Sequence, residues 1–287
     1  MMLERPHFGE RLAATLQAHG PLCLGIDPHA ELLSLWNLPD TADGVREFGL
    51  RAVDAASGTV GIVKPQVAFF ERHGSAGIAS LEAVMAAARA AGLIVIADAK
   101  RGDIGSTMAG YAHAWLSVGS PLEADALTVV AYQGIGSLDP VIALAQAAGK
   151  GLFVLAATSN PEAAELQSAL TASGDTVAAR ILAETNELNR SVENEAMGPF
   201  GVVIGATIDP AAFGLDLATA SATPILAPGF GEQGALPGEL GSRYGAAAGR
   251  VVANVSRGAL RGGPEALAAT LATLADEFAA ARMAVLA

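Results

Sequence analysis

Apolar residues along this chain gather into short unbroken runs, and longer amphipathic stretches separate one run from the next. The runs occupy residues 22–27, 59–64, 93–100, 124–130, 151–159, 200–207, 224–231 and 250–257. Continuous apolar segments of this length read as strands buried on both faces, as in a parallel sheet. The stretches between them carry helix signals. Asp40-Thr41 precedes Val45, Phe48 and Ala52, and Ser75 precedes Ile78, Leu81 and Met85, with Gly92 placed to end that helix. From Pro264 onward, Leu267, Leu271, Leu274 and Phe278 recur on one helical face. Eight strand–helix repeats predict a closed (β/α)8 TIM barrel forming a single domain over residues 1–287, with an open doubly wound sheet as the alternative. The long interval 161–199 reads as two helices parted near Ser173-Gly174-Asp175, an insertion within the barrel.

Composition narrows the function classes. With 287 residues, 52% of them hydrophobic, and a mean hydropathy of +0.41, the chain can bury a large core. No segment reaches the roughly eighteen uninterrupted apolar residues of a membrane span, since 81–97 contains Glu82, Arg89 and Gly92. Glu4 and Arg5, with no apolar core behind them, predict no signal peptide, and the single Cys23 excludes an internal disulfide. A cytoplasmic protein is expected. Seventeen basic against twenty-nine acidic residues, a net charge of −12, disfavour nucleic acid and anionic membranes as partners. An anionic substrate would therefore need positive charge concentrated locally. His7, His19, His29, His73 and His113 show no metal-ligand spacing, and no motif marks a metal site or a redox cofactor.

In barrels of this kind the reacting groups gather at the carboxyl ends of the strands. Asp27, Lys64, Asp98 with Lys100, Ser159 and Arg257 punctuate the apolar runs at that end. The segment Ala97-Asp98-Ala99-Lys100-Arg101-Gly102-Asp103-Ile104 is the most informative. Strand alternation predicts that Asp98 and Lys100 point the same way, with Asp103 just beyond in a turn softened by Gly102. Such an acid–base–acid group is expensive to desolvate unless its members pair with each other or with a ligand. A salt-bridged strand end is the alternative reading. Two further segments suit a phosphate: Pro228-Gly229-Phe230-Gly231-Glu232-Gln233-Gly234, and Asn254-Val255-Ser256-Arg257-Gly258 after the eighth strand. Backbone amides and one arginine fork satisfy a phosphate dianion in loops at that position.

These residues resemble the orotidine 5′-phosphate decarboxylase family, in its longer bacterial subgroup (type 2). The resemblance runs in order through Leu24-Gly25-Ile26-Asp27-Pro28, Val63-Lys64-Pro65-Gln66-Val67-Ala68-Phe69-Phe70-Glu71, the 97–104 segment, Leu155-Ala156-Ala157-Thr158-Ser159-Asn160-Pro161, the 228–234 loop and Ser256-Arg257-Gly258. It implies loss of CO2 from orotidine 5′-phosphate to give uridine 5′-phosphate in pyrimidine biosynthesis, without cofactor or metal. It implies a tetrad of Lys64, Asp98, Lys100 and Asp103, with Asp27 and Lys64 on the ribose, Ser159 on the pyrimidine edge, and Gln233 and Arg257 on the phosphate. It also implies a homodimer in which Asp103, Ile104 and Thr107 act across a two-fold interface. In this reading Pro228 belongs to the substrate-binding loop, and Lys100 stabilises the C6 carbanion and protonates it. The alternatives are a Mg²⁺-dependent sugar-phosphate decarboxylase or aldolase on the same barrel, and a non-catalytic nucleotide-binding barrel. Lys64 favours the nucleotide enzyme over the metal-dependent one.

Overall fold

The computed structural model describes residues 6–190 and 197–286. All eight apolar runs form strands: β1 (Leu22–Ile26), β2 (Ile62–Pro65), β3 (Ile94–Arg101), β4 (Ala126–Val129), β5 (Gly151–Ala157), β6 (Phe200–Ile204), β7 (Ile225–Pro228) and β8 (Val251–Val255). Each pairs in parallel with its neighbour in chain order, and β8 returns to β1 through Leu22↔Ala253 and Cys23↔Asn254, so the sheet closes on itself. The barrel is closed, and the open-sheet alternative is discarded.

The expected helices are in place. Thr41 caps the helix Ala42–Ala56 by accepting from Gly44 N at 3.2 Å. The helix Gly74–Ala90 ends just before Gly92, whose φ of +77° turns the chain into β3. The final helix runs Pro264–Leu286. The 161–199 interval contains two helices, Ala163–Gln167 and Val177–Leu188, joined by a turn with an antiparallel bridge Leu170↔Thr176; residues 191–196 lie outside the described part.

Two apolar layers hold the barrel. The outer one packs helices against the outward faces of the strands, with Phe48, Leu81, Trp115 and Phe278 fully or almost fully buried in it. The inner one contains a helix that the hydrophobic pattern did not announce. Phe8, Leu12 and Leu16 of the helix Phe8–His19 plug the barrel floor against Ile62, Ile96 and Phe153. Phe8 meets the Phe153 ring edge-on at 6.0 Å, and residue 151 must be glycine, because a Cβ there would stand 2.1 Å from the Phe8 ring. Charged pairs also close this floor: Arg11 reaches Asp125 at 2.7 Å, and the fully buried Lys150 reaches Glu123 at 2.7 Å. Polar groups at the amino ends of strands serve stability, which leaves the opposite rim for chemistry.

One strand departs from regular geometry. β3 is in register with β4 at Ala97↔Leu127 and again at Arg101↔Val129, so Asp98, Ala99 and Lys100 together stand opposite the single residue Thr128. This is a bulge, and bulges re-aim side chains beside active sites.

Candidate active site

A cavity of about 530 Å³ opens at the carboxyl ends of the strands. At its base lies the carboxylate of Asp98, 7% exposed, which accepts from four side chains. Lys64 Nζ and Gln66 Nε2 donate to Oδ2 at 2.7 and 3.0 Å, while Lys100 Nζ and Thr128 Oγ1 donate to Oδ1 at 2.5 and 3.0 Å. Burial alone would raise the Asp98 pKa, but the two ammonium groups outweigh it and hold the carboxyl well below the usual carboxylate range. Burial would likewise discharge Lys64, which is 3% exposed, yet Asp98 and Asp27 more than offset it and its pKa is raised.

Lys100 differs from Lys64 in two respects. Its side chain is 45% exposed and lines the cavity. Its φ is +48°, and Asn37 is the one other non-glycine residue with positive φ among the described residues. A residue with a Cβ enters this left-handed region only when its surroundings force it there, and such positions cluster at functional sites. The sequence expectation that simple alternation aims Asp98 and Lys100 together therefore needs correction. They do meet, but through the bulge, because a regular pleat would not give Lys100 this φ.

Other groups line the same cavity. Asp27, one residue past β1, has a buried Oδ1 with no hydrogen-bond partner among the described residues. Ser159, in the loop after β5, donates to Gln233 Oε1 at 3.2 Å, which ties that loop to the one following β7. Pro228 ends β7, and Arg257 begins the short helix after β8; both line the cavity. Lys64, Lys100 and Arg257 line the cavity together with Asp27, Asp98 and Glu232, so cations and carboxylates are interleaved around it, and Arg257 stands at the β8 end, away from the Asp98 ion pairs. Cys23 takes no part as a nucleophile, since burial pushes its thiol up to about 12.

Three expected residues are not brought into this cavity by the chain itself. Asp103 turns back, its Oδ1 accepting from Ile104 N at 2.8 Å; Ile104 is 61% exposed and Thr107 is exposed on the helix Gly105–Leu116. Conversely, sequence reading assigned no role to Gln66 or Thr128. Thr128 is the one polar residue in the apolar strand Ala-Leu-Thr-Val, and that break in the pattern was the available signal.

The Asp98 and Lys64 shifts fix how the site responds to pH. The depressed Asp98 pKa contributes stability that is present above the ordinary carboxylate value and lost as pH falls through the folded value. The raised Lys64 pKa contributes stability fully present below the ordinary lysine value and lost as pH rises through the folded one. Neither group titrates between about pH 5 and pH 9. Asp98→Asn, which leaves the buried Lys64 ammonium with Asp27 alone as counter-charge, is expected to cost about 3 kcal/mol across that window. Melting temperatures measured against pH should show the gap to the unmodified protein narrowing below about pH 4. A gap that stays constant down to pH 2 would contradict the ion-pair account.

Among the described residues, no group of three His, Cys, Asp or Glu side chains is placed to hold a metal ion, and no helix is long and apolar enough to cross a membrane.

The chain is similar to known proteins in both sequence and fold. The sequence model of the Orotidine 5′-phosphate decarboxylase / HUMPS family matches residues 20–270. An orotidine 5′-phosphate decarboxylase of Streptomyces coelicolor is 50% identical over 273 residues, 95% of each chain. One from Corynebacterium efficiens is 49% identical over 261 residues, 90% of this chain and 91% of its own. A solved Streptomyces avermitilis structure superposes with a TM-score of 0.92 at 49% identity, covering 98% of both chains. The OMP decarboxylase of Leishmania donovani superposes at 0.76 with 29% identity, covering 96% of this chain and 99% of its own.

Proposed function

The chain belongs to the orotidine 5′-phosphate decarboxylase family, and on that premise we propose that Lys64, Asp98, Lys100 and Asp103 of a second copy carry the loss of CO2 from orotidine 5′-phosphate. The observation that supports this most is the Asp98 carboxylate held by two lysines, one of them strained and facing the cavity. Gln233, Arg257 and the loop from Pro228 take the phosphate. The unpartnered Asp27 oxygen and Lys64 take the ribose hydroxyls, and Ser159 takes the pyrimidine edge.

The chemistry follows from where the electrons go. When the bond from C6 to the carboxylate breaks, its electron pair stays on C6 in an orbital lying in the ring plane. The ring's π system overlaps that orbital poorly, so stabilisation falls to fixed charge beside it. Lys100 Nζ supplies that charge and then transfers a proton to C6, which leaves a neutral amine that regains its proton from solvent. Asp98, at 2.5 Å, keeps the ammonium aimed, and Asp103 of the second copy does so from the far side. Binding of the remote phosphate closes the 228–234 loop and contributes to transition-state stabilisation.

The assembly in this reading is a two-fold homodimer. The exposed Ile104 and Tyr132, 61% and 80% accessible at the same rim, support a protein contact there. The chain acts as one decarboxylase domain over residues 1–287, in the longer bacterial subgroup; its similarity to the Streptomyces coelicolor and Corynebacterium efficiens decarboxylases over 95% and 90% of its length supports a single domain. It works in the cytoplasm, where the free Cys23 stays reduced.

The test is an assay on purified, chelator-treated protein that follows the loss of orotate ultraviolet absorbance. Full turnover is expected. Activity lost to the chelator and restored by Mg²⁺ would instead favour the metal-dependent relative, and binding of uridine 5′-phosphate without turnover would favour a non-catalytic barrel.

A further inference from the structure

We propose that Thr128 is a positioning residue for the decarboxylation, its one hydroxyl holding the Lys100 backbone and the Asp98 carboxylate in working order at the same time. The inference rests on the role of Lys100 proposed above. At the β3 bulge three residues face Thr128 alone, so the strand ladder has no carbonyl in register for the Lys100 amide. A backbone N–H left without a ladder partner is costly, and here a side chain answers it: Lys100 N donates to Thr128 Oγ1 at 2.9 Å. The hydroxyl has a single proton of its own. Its two acceptors are Asp98 Oδ1 at 3.0 Å and Ala97 O at 3.5 Å, and the nearer, charged oxygen takes it.

Accepting from one tetrad member and donating to another is a relay that sets their relative placement. It pins Lys100 at a φ of +48°, which a lysine does not hold unaided. It also fixes the carboxylate that receives Lys100 Nζ at 2.5 Å. Thr128 is 1% exposed, and its β-branched side chain has few rotamers, so the hydroxyl does not wander. Valine keeps that shape and loses the hydroxyl. Without it, the Lys100 backbone relaxes and the ammonium moves off the reacting carbon.

The test compares Thr128→Val, Thr128→Ala and Thr128→Ser with Lys100→Ala in one set of assays. Thr128→Val is expected to lower kcat by about 100-fold, since displacements near 1 Å cost about that much. KM and uridine 5′-phosphate affinity should stay within about threefold, and Thr128→Ser should recover most of kcat. Thr128→Ala serves if the valine variant does not fold. The proposal is overturned by a hydroxyl-free variant with normal kcat, by kcat, KM and melting temperature falling together with no rescue by serine, or by neither hydroxyl-free variant folding. Near-normal turnover by Lys100→Ala would instead bring down the role of Lys100 itself, whereas an inactive Lys100→Ala beside an active Thr128→Val removes Thr128 alone.

Discussion

Lys100→Ala is expected to lower turnover of orotidine 5′-phosphate by about four orders of magnitude or more, because it removes both the charge beside the developing carbanion and the proton donor. The protein should still fold. The Lys100 side chain is half in the cavity, so its loss leaves no void in the core, and Asp98 retains Lys64 at 2.7 Å, Gln66 at 3.0 Å and Thr128 at 3.0 Å. Binding of uridine 5′-phosphate should persist, because the product already carries hydrogen at C6 and places no negative charge against the lysine. Single-turnover kinetics, a thermal melt and titration calorimetry with the product check the three parts together. Turnover within about tenfold of the unmodified protein would remove Lys100 from the mechanism.

Mixing two inactive variants should restore activity. Within one chain Asp103 turns back onto Ile104 N and does not line the cavity that contains Lys64, Asp98 and Lys100. If it completes the site of a neighbouring copy, Asp103→Ala and Lys100→Ala are each inactive as homodimers. In a heterodimer, one site then lacks both residues while the other has both. Random exchange makes half the dimers mixed, so about a quarter of full activity should return from near zero. Subunit exchange is verified by mass, and activity is followed at equal total protein. Exchange without recovery would show that Asp103 serves its own chain or none.

What could be read from residues alone has a physical boundary. The strands were legible because a parallel barrel buries both faces, leaving apolar runs such as Leu22–Ile26 and Phe200–Ile204 that match little else. Their functional ends were legible because Asp27, Lys64 and Ser159 interrupt or follow those runs at one end of the barrel. The floor helix was not, since Phe8, Leu12 and Leu16 supply one short stripe whose partner, the barrel interior, exists only after closure. Nor was the bulge. The φ of Lys100 is set by the β3–β4 register, and period-two alternation assumes a pleat that this register breaks. Gln66 and Thr128 reach Asp98 across 32 and 30 residues of sequence, contacts that no local pattern encodes. Asp103 lies beyond the boundary for another reason, because its proposed partner is a second molecule.

The most direct measurement is a crystal structure of the protein with uridine 5′-phosphate bound. If Lys100 is the proton donor, its Nζ will stand within about 3.5 Å of the pyrimidine C6, with Asp103 of the second copy beside it and the phosphate on Arg257. A nucleotide seated in the cavity with Lys100 Nζ turned away from the base would contradict that assignment.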